Sequence, residues 1–256
     1  MVEFKKTSTA YRYVYIYISV ILIYGFFLFF KLIKKDGLAL FSESLIMPVI
    51  TIIYLICIKN KNILLTLFFI FYALSDFYSI IDMFWRIPFE TGDIYFGYQW
   101  YVGTGLCIIS YFVLLLYIFG RLDFNIIIRK FKLHIIVLTI LNIYLVYVMQ
   151  NIIEFNLRFK YTYYFEFVYN IILAFILSLS LLNFSSNQSS NKSLYLFLGS
   201  LFIIFSEVID IAYQYIEKEY LIDILGTTLS LIAFYFYFEH SRLLETLDQE
   251  KEYMID

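Results

Sequence analysis

Long apolar runs alternate with short polar breaks along the chain, and the breaks define its elements. A helix that crosses the roughly 30 Å of bilayer hydrocarbon needs about 20 largely apolar residues. Counted that way, eight spans are predicted, at residues 13–30, 45–58, 63–85, 100–119, 133–149, 165–182, 194–213 and 221–238. The second is short, and its Pro48 reads as a first-turn proline, where the missing amide has no helical partner to lose. The breaks are the Lys31, Lys34, Lys35 cluster, the Lys59-Asn-Lys61-Asn turn, a polar loop at 86–99 with Pro88, Gly92 and Gly97, and a basic segment with Arg121, Arg129, Lys130 and Lys132. A tyrosine-rich connection, a low-complexity loop at 183–192 and the acidic turn Glu217-Lys-Glu219 complete them. The predicted fold class is therefore all-α: a polytopic membrane bundle of eight transmembrane helices over residues 1–238, followed by a polar C-terminal tail at 239–256.

Composition supports that class. The chain is 62% hydrophobic and 22% aromatic, with a mean hydropathy of +0.79, well above the apolar share of a soluble domain. A net charge of -2 without a basic face gives no purchase on nucleic acid, which needs clustered Lys and Arg against phosphate. Cys57 and Cys107 fall in separate spans toward opposite faces and read as core filler. The first apolar run is too long for a removable leader, so it is expected to remain as a span. With eight spans, the side holding both termini carries 12 Lys and Arg against 7 on the other. That bias places both termini in the cytoplasm, although the Lys31–Lys35 cluster opposes it.

Ionisable groups inside the spans change the picture most. A carboxylate in hydrocarbon costs several kcal/mol unless it faces a polar interior, so each is a candidate functional group. Asp76 lies 13 residues after Ile63, and Glu207 lies 13 residues after Leu194, which puts each roughly 20 Å along its helix. The third and seventh spans run in the same direction, as two parallel four-helix repeats would produce. The two carboxyls are thus expected to meet across a central cavity. Ser75, Ser79 and Asp82 at i, i+4, i+7, and Ser206 with Asp210 at i, i+4, make a polar face on each helix. A bland alternative is that hydroxyls hold these carboxyls as interhelical glue. Asp82 is four residues before Arg86 and fits a helix-end ion pair, while Asp210 is divided between the cavity and the interface. Glu166 and Asn170, also i, i+4, are candidates to line the same cavity. Asn142, Thr227, Thr228 and Ser230 read as helix-packing groups. His134 and His240 sit at span ends without partners at ligand spacing, so no metal site is expected.

Three short segments resemble the lysoplasmalogenase-like membrane proteins of the YhhN family. Leu45-Ile-Met-Pro48 resembles that family's proline-containing entry to the second span. Ala73-Leu-Ser-Asp76 resembles its Ser-x-x-Gly-Asp element, and Gly199-Ser-Leu-Phe-Ile-Ile-Phe-Ser206-Glu207 its Gly-x-x-x-Phe-x-x-Ser-Asp element. Ser75 replaces the family's glycine and Glu207 its second aspartate, and the expected histidine and Tyr-x-x-x-Gln are not evident. The resemblance implies an eight-span hydrolase of a bacterial inner membrane that cleaves the vinyl ether bond of a lysophospholipid without a cofactor. It implies Asp76 and Glu207 as the catalytic pair, with Asp210 able to replace either; Ser75, Ser79, Ser206, Glu166 and Asn170, placed by their helical spacing, are the candidates to line the substrate cavity. One carboxyl would protonate the alkene carbon, and the other would stabilise the oxocarbenium ion and activate water.

No Gly-rich phosphate loop, Gly-x-Ser-x-Gly elbow or His-Glu-x-x-His appears in the sequence. Two rivals to the hydrolase remain at this level. One is a proton- or cation-coupled transporter using the paired acids within parallel repeats. The other is an inactive membrane module whose polar tail contacts a partner.

Overall fold

The apolar runs form helices because nothing else satisfies a backbone inside hydrocarbon. The computed structural model describes residues 18–86, 93–154, 162–187 and 190–253, with side chains described for all of these except 82–86, 93–99, 154 and 246–253. Among the described residues there are nine helices and no strand: α1 Ile18–Leu32, α2 Asp36–Cys57, α3 Ile63–Arg86, α4 Asp93–Phe119, α5 Phe124–Lys130, α6 Lys132–Glu154, α7 Thr162–Ser186, α8 Asn191–Tyr215 and α9 Tyr220–Tyr253. Seven of them, all but α1 and α5, are long and apolar enough to cross a membrane, which marks a multi-pass membrane protein. The described part of α1 is apolar but shorter, and the first residues of its predicted span, 13–17, lie outside the described residues.

Several boundaries differ from the hydropathy reading, each for a visible reason. Helix α2 begins at Asp36 instead of residue 45, because the turn-like Ser42-Glu43-Ser44 is helical. Ser42 Oγ donates back to the Leu38 carbonyl at 2.9 Å, and Glu43 faces inward to accept from Thr227. Pro48 is consequently inside α2 and not in its first turn. The polar loop expected at 86–99 is shorter, since α4 starts at Asp93. The basic segment contains the unpredicted α5, whose N-terminus is capped by Asp123 accepting from the amides of Asn125 and Ile126. The low-complexity loop is helical at both ends, in α7 up to Ser186 and in α8 from Asn191.

Helix α9 continues without a break past residue 238 into the expected polar tail. Glu239, His240, Ser241 and Glu245 at the start of that tail are buried. Glu245 accepts from the Lys59 amide at 3.1 Å, closing the turn after α2. His240 Nδ1 lies 2.8 Å from the Lys192 carbonyl and so must carry the proton, leaving Nε2 to accept from the Tyr117 hydroxyl at 2.6 Å. His240 is therefore a fully bonded tie between α4, α8 and α9, and not a lone interfacial ring.

Helices α2, α3, α4, α7, α8 and α9 each pack on the next, and α9 packs back on α2, closing a six-helix ring. Helix α6 lies outside this ring against α7 and α8, and α1 lies outside against α9 through a Tyr24–Thr228 hydrogen bond of 2.6 Å. The half of the ring nearer the His240 tie is filled by aromatic rings. Phe68 stacks on Phe234 with centroids 5.4 Å apart and meets Tyr237 edge-on at 5.3 Å, while Tyr72 meets Phe234 at 4.8 Å. Beside them Tyr54 stacks on Phe69 at 4.4 Å. The opposite half, toward the α3–α4 and α8–α9 connections, is where the polar side chains face inward.

Helices α8 and α9 pack closely at Gly199, where an added Cβ would sit 2.9 Å from the Tyr237 ring. Gly199→Ala is expected to force α8 away from α9 at a cost of about 1–3 kcal/mol. Adding Tyr237→Leu should recover most of that loss, because the two changes meet in one space. Denaturation of the purified single and double variants in detergent checks both.

Candidate functional sites

Two polar cavities occupy the open half of the ring, and matching residues from the two halves of the chain build them. On α3, Ser75 donates to the Gly103 carbonyl of α4 at 3.0 Å; on α8, Ser206 donates to the Gly226 carbonyl of α9 at 2.9 Å. Each serine immediately precedes an acid, Asp76 or Glu207, and each glycine immediately precedes a threonine, Thr104 or Thr227. A side-chain hydrogen bond to a neighbouring helix's carbonyl, beside a glycine, draws two helices into close contact and fixes their rotation. Rotation is what aims the adjacent acid inward.

The first cavity, about 350 Å³, lies between α3, α4, α7 and α8. Its acids are Glu166, Glu207 and Asp210. The Tyr111 hydroxyl donates to Glu207 Oε1, and the Tyr169 hydroxyl bonds the same carboxylate. Tyr215 donates to Glu166 Oε1 at 3.3 Å. Cys107, expected as core filler, is a free thiol on this wall.

The second cavity, about 250 Å³, lies between α2, α3, α8 and α9. Its acids are Glu43, Asp76, Asp210 and Asp223. Thr227 donates to Glu43 Oε1 at 2.6 Å. Asp223 forms a buried ion pair with Lys31 of α1, whose ammonium also lies 5.5 Å from the Tyr213 ring centre. At Gly226 an added Cβ would strike the Asp210 carboxylate and force that side chain to swing aside.

Tyr72, Ser79, Asp210 and Gln214 border both cavities. The expected pair is therefore not brought into one space: Asp76 faces the second cavity and Glu207 the first. Asp210 is the acid common to both. Of the other residues singled out, Ser75 and Glu166 line the first cavity, Ser206 the second, and Ser79 both. Asn170 is fully buried but lines neither, and its amide atoms have no hydrogen-bond partner in the structure. The side chain of Asp82, with its expected Arg86 partner, lies outside the described residues. Asn142 acts in packing, accepting from Ser178 at 2.9 Å, whereas Thr227 and Ser230 turn out to line the second cavity.

The sequence reading passed over Glu43, Tyr111, Thr104 and the Lys31–Asp223 pair. Glu43 was hidden by the late start assigned to α2. The dipeptide Gly103-Thr104 and its repeat Gly226-Thr227 were the available signal for the threonines.

An apolar groove of about 280 Å³ adjoins the second cavity. It is formed by Val20 and Ile21 of α1, Ile50 and Ile53 of α2, and Phe234 and Phe238 of α9, among others. Leu231 belongs to both the groove and the second cavity. Fold and sites together define a polytopic helical membrane protein with paired acid-lined cavities and an apolar groove beside one of them. The chain matches no protein-family model, no curated protein and no solved structure.

The Lys31–Asp223 pair gives a stability prediction. Lys31→Met leaves a buried carboxylate uncompensated and should destabilise the protein by about 3 kcal/mol or more, whereas Lys31→Met with Asp223→Leu should recover most of the loss. Thermal unfolding of the purified variants distinguishes the two.

Proposed function

We propose that the protein is a membrane-embedded hydrolase of a single-chain ether lipid, related to the lysoplasmalogenase-like family and acting on the vinyl ether bond of a lysophospholipid. The observation that carries this reading is the junction at Leu231, where an acid-lined chamber meets an apolar groove. An amphiphile with one hydrocarbon chain matches that contrast: the chain lies between α1, α2 and α9, and the ether end enters the chamber. Asp76 and Asp210, which line the same chamber, form the working pair, with Asp210 in the replacement role expected for it.

One carboxylic acid delivers a proton to the alkene carbon that carries the hydrocarbon chain, giving an oxocarbenium ion at the carbon bearing oxygen. The second, ionised, stabilises that cation and takes a proton from the water that attacks it. The resulting hemiacetal collapses to a fatty aldehyde and the glycerophospho-alcohol, so the net reaction consumes one water. Glu43 is held by Thr227 and supports the chamber's charge balance. Glu207 is engaged by Tyr111 and lines the neighbouring cavity, outside the working pair.

The proposal includes eight spans, with α1 as the first, arranged as two parallel four-helix repeats in a bacterial inner membrane with both termini cytoplasmic. The matched Ser75–Gly103 and Ser206–Gly226 bonds support the repeats. So do the ring contacts: α4 against α7 and α9 against α2 are equivalent under an exchange of halves.

Purified protein incubated with a vinyl ether lysophospholipid should release aldehyde. Asp76→Asn and Asp210→Asn should each lower the rate by at least about a hundredfold, the lower range expected for loss of a general acid or base. Ile53→Trp, which fills the groove, should raise KM for long-chain substrates more than for short ones. A wild-type protein that releases no aldehyde sinks the proposal.

The duplicated acid cavities also favour a second reading, proton- or cation-coupled transport through the ring. Proton or cation flux into proteoliposomes, lost in Asp210→Asn, is the expected outcome on that reading.

A further inference from the structure

Apart from Asp210, which borders both cavities, the carboxyls and the tryptophan of the first cavity are not used by the proposed ether-lipid chemistry. Five aromatic rings face that cavity: Tyr72 and Tyr78 of α3, Trp100 of α4, Tyr169 of α7 and Tyr215 of α8. Three carboxyls, Glu166, Glu207 and Asp210, stand among them, and among the described residues no Lys, Arg or His reaches the wall. Ring faces carry negative charge density and attract soft cations, most strongly a tryptophan face. A lining of aromatic residues plus carboxyls, with no cationic side chain among the described residues, disfavours an anion and suits a positively charged guest.

Size and geometry then narrow the class. The volume of about 350 Å³ lies at the low end of the range for small-molecule sites and far exceeds what one metal ion occupies. Among the described residues, no group of three His, Cys, Asp or Glu is placed to hold a metal. A cation that fills such a space and uses its rings is an organic ammonium ion.

The walls are also braced. Ser75 ties α3 to the Gly103 carbonyl, Tyr111 and Tyr169 hold Glu207, and Trp100 rests against Phe165 with centroids 6.4 Å apart. Such bracing orders the site before a ligand arrives, which lowers the entropy lost on binding.

We propose that the first cavity binds an organic ammonium ion, with Trp100 and the tyrosine rings against its alkylated nitrogen and Glu166, Glu207 and Asp210 balancing its charge. The guest is either a free small amine or the ammonium headgroup of a lipid; the chemistry recognised is the same. The site shares Asp210 with the proposed catalytic pair, whereas Trp100, Glu166 and Tyr169 belong to the first cavity and not to the second.

The test uses the full chain in nanodiscs, with choline as the soluble probe and dimethylbutanol, its neutral carbon isostere, as the control. Calorimetry should show saturable choline binding, with the isostere weaker by at least about tenfold. Glu166→Gln and Trp100→Ala should each weaken binding by a similar factor, while Trp100→Phe, which keeps a ring, retains most of it. Binding of choline-headed lysophospholipid over a glycerol-headed one of equal chain length, without binding of free choline, assigns the site to a lipid headgroup and supports the proposal. Saturable binding of free choline assigns it to a soluble amine and also supports it. Equal binding of choline and its isostere, or no preference in either arm, overturns it.

Discussion

Hydrocarbon does not solvate carboxylates, and the helices of this chain carry six of them inward: Glu43, Asp76, Glu166, Glu207, Asp210 and Asp223. That constraint organises the molecule. Carboxyls cannot face lipid, so six helices close into a ring around them, and apolar side chains such as Ile136, Ile140 and Ile143 of α6 are left to face outward. Within the ring the acids need room and donors, so they gather in one half and leave the other to packed aromatic rings. The donors are tyrosine and threonine hydroxyls and one lysine, each from a different helix than the acid it meets. The polar contacts therefore also hold the bundle together.

The two halves of the ring follow one plan and depart from it where chemistry differs. Eight residues after Gly103 stands Tyr111, which donates to Glu207; eight residues after Gly226 stands Phe234, which has no hydroxyl to give. Three residues after Asp76 stands Ser79, and three after Glu207 stands Asp210. A symmetric ring would have two equivalent cavities. These substitutions leave one cavity with a tyrosine-bound glutamate among rings and the other with three aspartates and Glu43 beside an apolar groove.

Much of this was legible in the sequence because bilayer thickness imposes a length on every span. The equal depth of Asp76 and Glu207 followed from counting residues along a helix. What counting could not supply was rotation: the bearing of each acid depends on a serine-to-glycine bond with the next helix in the ring, and these bonds turn each acid into its own cavity. Glu43 escaped notice because a polar triplet reads as a loop when its partner, Thr227, lies 184 residues away. The end of α9 was misread for the related reason that Glu239, His240 and Glu245 are polar yet buried against other elements. Hydropathy records what a side chain is and not what it faces.

Helix α9 joins the cavities to the far side of the bundle in a single rod. Asp223 and Thr227 stand in its first turns, and the same helix runs on to Tyr253, 34 residues in all and about 50 Å long. A rod of that length acts as a lever whose short arm lies in the second cavity. Tilting it by about 5° about that cavity sweeps its other end through roughly 4 Å, given the same rise per residue. Whatever occupies the chamber thus touches the same helix that carries the His240 and Glu245 ties.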